Sequence, residues 1–250
     1  MTKINRIALP ALGATLGWIF VLGMGSTQAN AQGGDRFEIS ALKAVRPSLA
    51  RTVAALQSGD IAAAKSALED YDTGRRGIEV YLNARDKNLY RDLESDLRVK
   101  IGTGLKSPKP DLAVLTADAR KMLAKYDEFI AVAAKAPPLN PLYDDVARLR
   151  IFRAILREVD IAIRAHDFAK ARVELMAFSE KLDSVKGILK VRSPEALDAV
   201  TNGIAQLRTE LKSPKPDAPK MMGYIRGITS KYNVVLAQVT GEARIQQSTK

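Results

Sequence analysis

The chain has 250 residues with no cysteine, a single histidine, and 39 Lys and Arg against 28 Asp and Glu. The lack of cysteine excludes disulfides, thiol nucleophiles, iron–sulfur clusters, c-type haem attachment and a lipoprotein anchor. One histidine leaves no material for a histidine-rich metal site or a Ser-His-Asp triad.

Residues 1–31 carry the pattern of an export signal. Lys3 and Arg6 supply a positive start, an apolar stretch runs from Ile7 to Met24, and Ala29-Asn30-Ala31 offers small residues for cleavage. The expected product is a periplasmic chain beginning near Gln32, with no transmembrane segment. The alternative is an uncleaved inner-membrane anchor, because about 18 apolar residues approach the lower limit for a span. Cleavage removes Lys3, Arg6 and the sole tryptophan, Trp18, and leaves an excess of nine positive charges. The remaining Lys and Arg are interleaved with Asp and Glu along amphipathic segments, which describes a solvated helical surface with a cationic bias. An exported chain rarely meets nucleic acid, so the partners expected of such a surface are an acidic envelope protein or an anionic surface.

One phrase is written twice. Leu105-Lys106-Ser107-Pro108-Lys109-Pro110-Asp111 returns letter for letter as Leu211-Lys212-Ser213-Pro214-Lys215-Pro216-Asp217, an offset of 106. Upstream the offset is 107: Asp60 meets Asp167, Tyr71 meets Phe178 and Arg85 meets Arg192. A period this long indicates a repeated domain-sized unit.

Each unit reads as four helices. In the first, Leu42, Val45, Leu49, Val53 and Leu56 form one stripe at spacings of three and four. Gly59 ends that helix and Asp60 caps the next, whose inward residues are Ile61, Ala64, Leu68, Tyr71, Ile78 and Leu82. Asp86 caps a third helix striped by Leu89, Leu93, Leu97, Ile101 and Leu105. Two prolines within three residues break the chain, and Asp111 caps a fourth helix with Leu115, Met122, Tyr126, Phe129 and Ala133 inward. The second unit follows the same plan. Leu149, Phe152, Leu156 and Ile163 form its first stripe, Asp167 caps its second helix, and Ser193-Pro194-Glu195 starts its third. Pro137 to Pro141 is the linker, fraying is expected after Arg244, and no alternating strand pattern occurs. The expected fold is all-α: two tandem four-helix-bundle-like repeats, 32–136 and 142–250, with the second and third helices of each forming a hairpin.

The chemistry available is that of carboxylates. Glu79 lies late in the second helix and Glu94 lies two turns into the third. A hairpin turn at Arg85-Asp86 brings them within about 3 Å of the same height at 1.5 Å rise per residue. With Tyr90, Asp92 and Asp96 nearby, the corner is oxygen-rich and suits a hard cation such as iron or calcium, bound by Glu79, Glu94, Asp92 and Asp96. Arg75, Arg76 and Arg91 are also within reach, and ion pairs on a solvated face would give the same pattern. Lys186 and Thr201 occupy the matching positions of the second unit, so any such site belongs to the first. No catalytic residue is assigned. A carboxylate hydrolase needs a pair with shifted pKa values in a pocket, and the sequence argues for no pocket. His166, matching Gly59, is expected at a helix C-terminus.

The string Gly59-Asp60-x-Ala62-Ala63-Ala64, Tyr71, Ile78-Glu79, Asn83-Ala84-Arg85-Asp86, Leu89 and Leu93-Glu94 resembles the extracytoplasmic helical domain that precedes the membrane part of some bacterial high-affinity iron permeases. The match covers about forty residues of the first unit. The chain has no permease helices, and Arg91-Asp92-x-Glu94 is only an imperfect counterpart of the Arg-Glu-x-x-Glu motif of the membrane part. The resemblance implies an exported helical module associated with iron or another cation, not transport.

Overall fold

The computed structural model describes residues 35–248; the expected signal segment and its cleavage site lie outside them. Among the described residues the fold is all-α, without strands. The first half contains α1 (Phe37–Gln57), α2 (Ile61–Arg85), α3 (Lys87–Arg91), a π-helical segment (Asp92–Arg98), α4 (Val99–Leu105) and α5 (Leu112–Lys135). The second contains α6 (Leu142–Arg164), α7 (Phe168–Lys181), α8 (Asp183–Arg192), α9 (Pro194–Leu211) and α10 (Ala218–Ser248).

The expected caps are in place, and they recur at the same offsets. Asp60 accepts from Ala63 N at 2.8 Å and Asp167 from Lys170 N at 2.9 Å. Asp86 accepts from Asn88 and Leu89 N, and Ser193 Oγ from Ala196 N. In the repeated phrase, Ser107 Oγ and Ser213 Oγ accept from Lys109 N and Lys215 N, and Asp111 and Asp217 cap the helices that follow. Deep in each half a buried tyrosine ties the last helix to the first: Tyr126 donates to the Leu42 carbonyl and Tyr232 to the Leu149 carbonyl, both at 2.8 Å. Gly59 (φ 76°) and His166 (φ 57°) share the left-handed conformation that ends α1 and α6.

Four features depart from the expected plan. The first helix starts earlier, at Phe37, and contains Pro47, beside which the buried Ser48 hydroxyl donates to the Val45 carbonyl. In the second half, the helix matching α2 is broken at Leu182 into α7 and α8. The C-terminal helix continues to Ser248 rather than fraying at Arg244, and Gln246 accepts from Asn140 of the linker at 2.7 Å.

The fourth departure concerns the two units themselves, which are not separate bundles. Their buried side chains form one continuous core, joined where α2 packs on α6. These two helices run antiparallel: Thr73 meets Glu158, Gly77 meets Ile151, and the Tyr81 hydroxyl donates to Asp144 at 2.7 Å. Gly77 is required at this crossing, because a Cβ there would overlap Ile151 Cγ1.

Candidate functional site

The third helix of the first half is one residue too long for a regular α-helix. Leu89, Leu93, Leu97, Ile101 and Leu105 are spaced by four throughout, which drifts by about 40° per step around a helix of 3.6 residues per turn. The π-helical turn from Asp92 to Arg98 absorbs this drift, since its i→i+5 bonds accommodate more residues per turn. In the second half the buried side chains of α9 that form the stripe are Ala196, Val200, Ile204, Leu207 and Leu211, with one spacing of three, and the helix is regular. This single residue is why the offset between the halves falls from 107 to 106. It also has a local effect: Leu93 and its neighbour Glu94 are both buried, whereas of the matching residues Val200 is buried and Thr201 is exposed.

Glu94, 7 % exposed, is the carboxylate this bulge turns inward. Its Oε1 accepts from the Tyr71 hydroxyl at 2.6 Å, and Arg75 Nη1 lies 3.0 Å from its Oε2. The approach angle of Arg75 is not that of a hydrogen bond, so Oε2 is buried with a counter-ion but no donor. Arg75 also pairs with Glu79 Oε1 and donates through Nε to Asp72 at 3.2 Å. Asp72 in turn is held by both Nε and Nη2 of Arg98 from the end of the π-segment. Burial raises the Glu94 pKa above the ordinary carboxylate value against the opposing pull of Arg75 and Tyr71. Burial likewise lifts the Tyr71 phenol far above its usual value, with Glu94 adding to the shift, so Tyr71 remains a donor.

The hairpin therefore brings Glu79 and Glu94 together, as expected, but around a guanidinium and not around open space. Asp92 is turned away and pairs with Lys125 of α5 at 2.8 Å, and Asp96 is exposed. The four-carboxylate shell expected of Glu79, Glu94, Asp92 and Asp96 is not assembled. The bulge separates their directions, and Arg75 occupies the centre of the pair. Among the described residues, no group of three or more His, Cys, Asp or Glu is placed to hold a metal ion. Tyr90 does lie near the pair; burial first, then Glu79 and Glu94, raise its pKa. Tyr71, read from the sequence only as an inward-facing core residue, joins Asp72 and Arg98 in completing the network.

A second feature adjoins this network. A cleft of about 480 Å³ opens between α2, α6 and α10 and is lined by Arg75, Arg76, Arg150, Arg153 and Arg157. Glu79 lines it as well and lies 3.8 Å from Arg150. Burial and the neighbouring positive charges of Arg157 and Arg75 lower the Arg76 pKa. Burial lowers that of Arg150 too, with Arg153 and Arg244 contributing. The sequence held a signal for this cleft: Arg150, Arg153 and Arg157 recur at spacings of three and four beside the apolar stripe of the same helix. No family model, curated protein or solved structure matches the chain, so its function is argued from this geometry.

Proposed function

We propose that the mature chain is an exported, non-enzymatic helical binding module for acidic ligands of the cell envelope. The observation that carries this is the different fate of the two kinds of charge. Arg75 neutralises the carboxylate corner from within, whereas the guanidinium groups of the neighbouring cleft outnumber its carboxylates. A hard cation at Glu79 and Glu94 would first have to displace Arg75 from both. The small-residue site at Ala29-Asn30-Ala31 supports export, and no helix among the described residues is long and apolar enough to cross a membrane.

The test is calorimetric titration of the mature protein, in about 0.15 M salt, where a Debye length near 8 Å screens diffuse attraction. The probes are polyglutamate, polyphosphate, and the ions of iron, calcium and zinc. Binding of either polyanion, weakened in a triple Arg150→Gln, Arg153→Gln, Arg157→Gln variant, is expected. Silence with both polyanions would sink the proposal. So would tight binding of a metal that disappears in Glu79→Gln with Glu94→Gln, because it would make the corner a cation site.

A further inference from the structure

We infer that the cleft between α2, α6 and α10 is a binding site for a phosphate group carried on a small molecule. The inference rests on the acidic-ligand proposal above and narrows it to one place and one chemistry. Arg150, Arg153 and Arg157 project from one face of α6 toward Arg75 and Arg76 of α2. Of the two carboxylates that line the cleft, Glu79 is shared with Arg75, and Asp160 is taken by Arg164 at 2.7 Å. Arg76 and Arg157 have no carboxylate within ion-pair distance among the described residues, and Arg76 Nε is buried without a hydrogen-bond partner. Arg153 reaches only the amide oxygen of Asn233, at 3.4 Å.

Five guanidinium groups converging on two carboxylates repel one another, and the partial burial of Arg75, Arg76 and Arg150 strengthens that repulsion. An anion bridging them removes the repulsion and fills the vacant donor positions. Phosphate suits the site best. It carries up to two charges and three acceptor oxygens, and it accepts the forked donors of arginine in parallel pairs. Thr229 and Asn233 of α10 add neutral polar groups at the wall. Leu156 and Ile225 give the cleft an apolar side where the uncharged remainder of a phosphate ester could lie. A volume near 480 Å³ exceeds what a bare phosphate needs and falls in the range of small-molecule sites.

The experiment is a calorimetric titration of the full mature chain with pyrophosphate, glucose 6-phosphate and succinate at low salt, alongside sedimentation with vesicles containing phosphatidic acid. Pyrophosphate and the sugar phosphate should bind, and succinate should bind at least tenfold more weakly. Arg76→Gln and Arg157→Gln should each weaken the phosphate probes by about tenfold, as loss of a charge-assisted hydrogen bond predicts. Lys100→Gln, an equal charge change on an exposed position outside the cleft, should leave them unaltered. Vesicle binding that pyrophosphate competes away would identify a lipid headgroup as the source of the phosphate; its absence would identify a soluble ligand. Three outcomes would overturn the inference: no heat with either phosphate probe, equal weakening by Lys100→Gln, or succinate matching pyrophosphate. If polyglutamate still binds while the phosphate probes do not, only this narrower claim falls.

Discussion

The two halves share a frame and differ at its centre. In each, a tyrosine of the last helix donates to a carbonyl of the first, and aspartates cap matching helices. Around that frame the first half holds a polar set: the buried Tyr71 and Glu94 and the half-buried Arg75 and Glu79, with Asp72 behind them. The corresponding residues of the second half are Phe178, Leu182, Lys186, Thr201 and Ser179. Phe178 stacks on Phe152 at 4.1 Å, and Phe152 lies 5.5 Å from Tyr232, so the space is filled by aromatic rings. Lys186 and Thr201 face solvent. The frame therefore holds without the polar corner, which is an addition to the fold and not a requirement of it.

The largest effect is expected where one half's residue is placed alone in the other. Arg75→Leu, the residue of the second half, strands Glu94 and Glu79 together without their cation. Loss of about 3–5 kcal/mol in chemical unfolding is expected, as when a buried pair is broken from one side. Converting the corner further, with Tyr71→Phe and Glu94→Thr added, should recover part of that loss. A triple variant no better than the single one would mean the halves are not interchangeable at this place. Next in size is Gly77→Ala, which drives a methyl group into Ile151 at the α2–α6 crossing and should cost about 1–3 kcal/mol. The matching residue Ser184 is exposed, so Ser184→Ala should change stability by less than about 0.5 kcal/mol.

The comparison also predicts a pH signature from Glu94, whose place in the second half is taken by the non-titrating Thr201. Burial raises the folded-state pKa of Glu94, so the folded protein holds a proton that the unfolded chain has released. The native state then binds more protons than the unfolded one, and stability falls as pH rises from about 4, the unfolded value, through the raised folded value. Glu94→Gln should remove that part of the slope, as read from denaturant midpoints across pH 4–7. An unchanged slope would place the titration elsewhere, for example on Asp144 or Asp145, whose pKa values burial also raises. The smallest effect is expected at the matched helix ends. His166→Gly puts glycine at a left-handed position already held by Gly59 in the first half. A gain of about 0.5–1 kcal/mol is expected from relief of that backbone conformation.

Most of the fold was legible because caps and stripes are local. Asp60, Asp86, Asp111, Asp167 and Ser193 each announced a helix start through chemistry within a few residues. The junction of the halves was not legible, because Gly77 within a helix looks the same whether or not another helix crosses there. The nearness of the carboxylate pair follows from helical rise alone. Its partner depended on which way Glu94 turned, and that depended on a change of helix type. The signal for that change was present in the unbroken run of fours from Leu89 to Leu105, set against the drop in offset from 107 to 106. The arginine cleft needed three helices from both halves, and only its α6 edge could be read in one dimension.

The π-segment has a further consequence for how the chain tolerates changes in length. A helix that already carries one surplus residue is a place where a single-codon deletion can be absorbed by rewinding, as the regular α9 shows for the same slot. Removing Ser95, an exposed residue inside that segment, would leave Leu105 and the following Ser-Pro-Lys-Pro turn in position, because the lost residue comes out of the overwide turn. The inward place of Glu94 would vanish, and Arg75 would lose one of its two glutamates. The polar corner of this protein is thus encoded as much by the number of residues between Asp86 and Leu105 as by their identities.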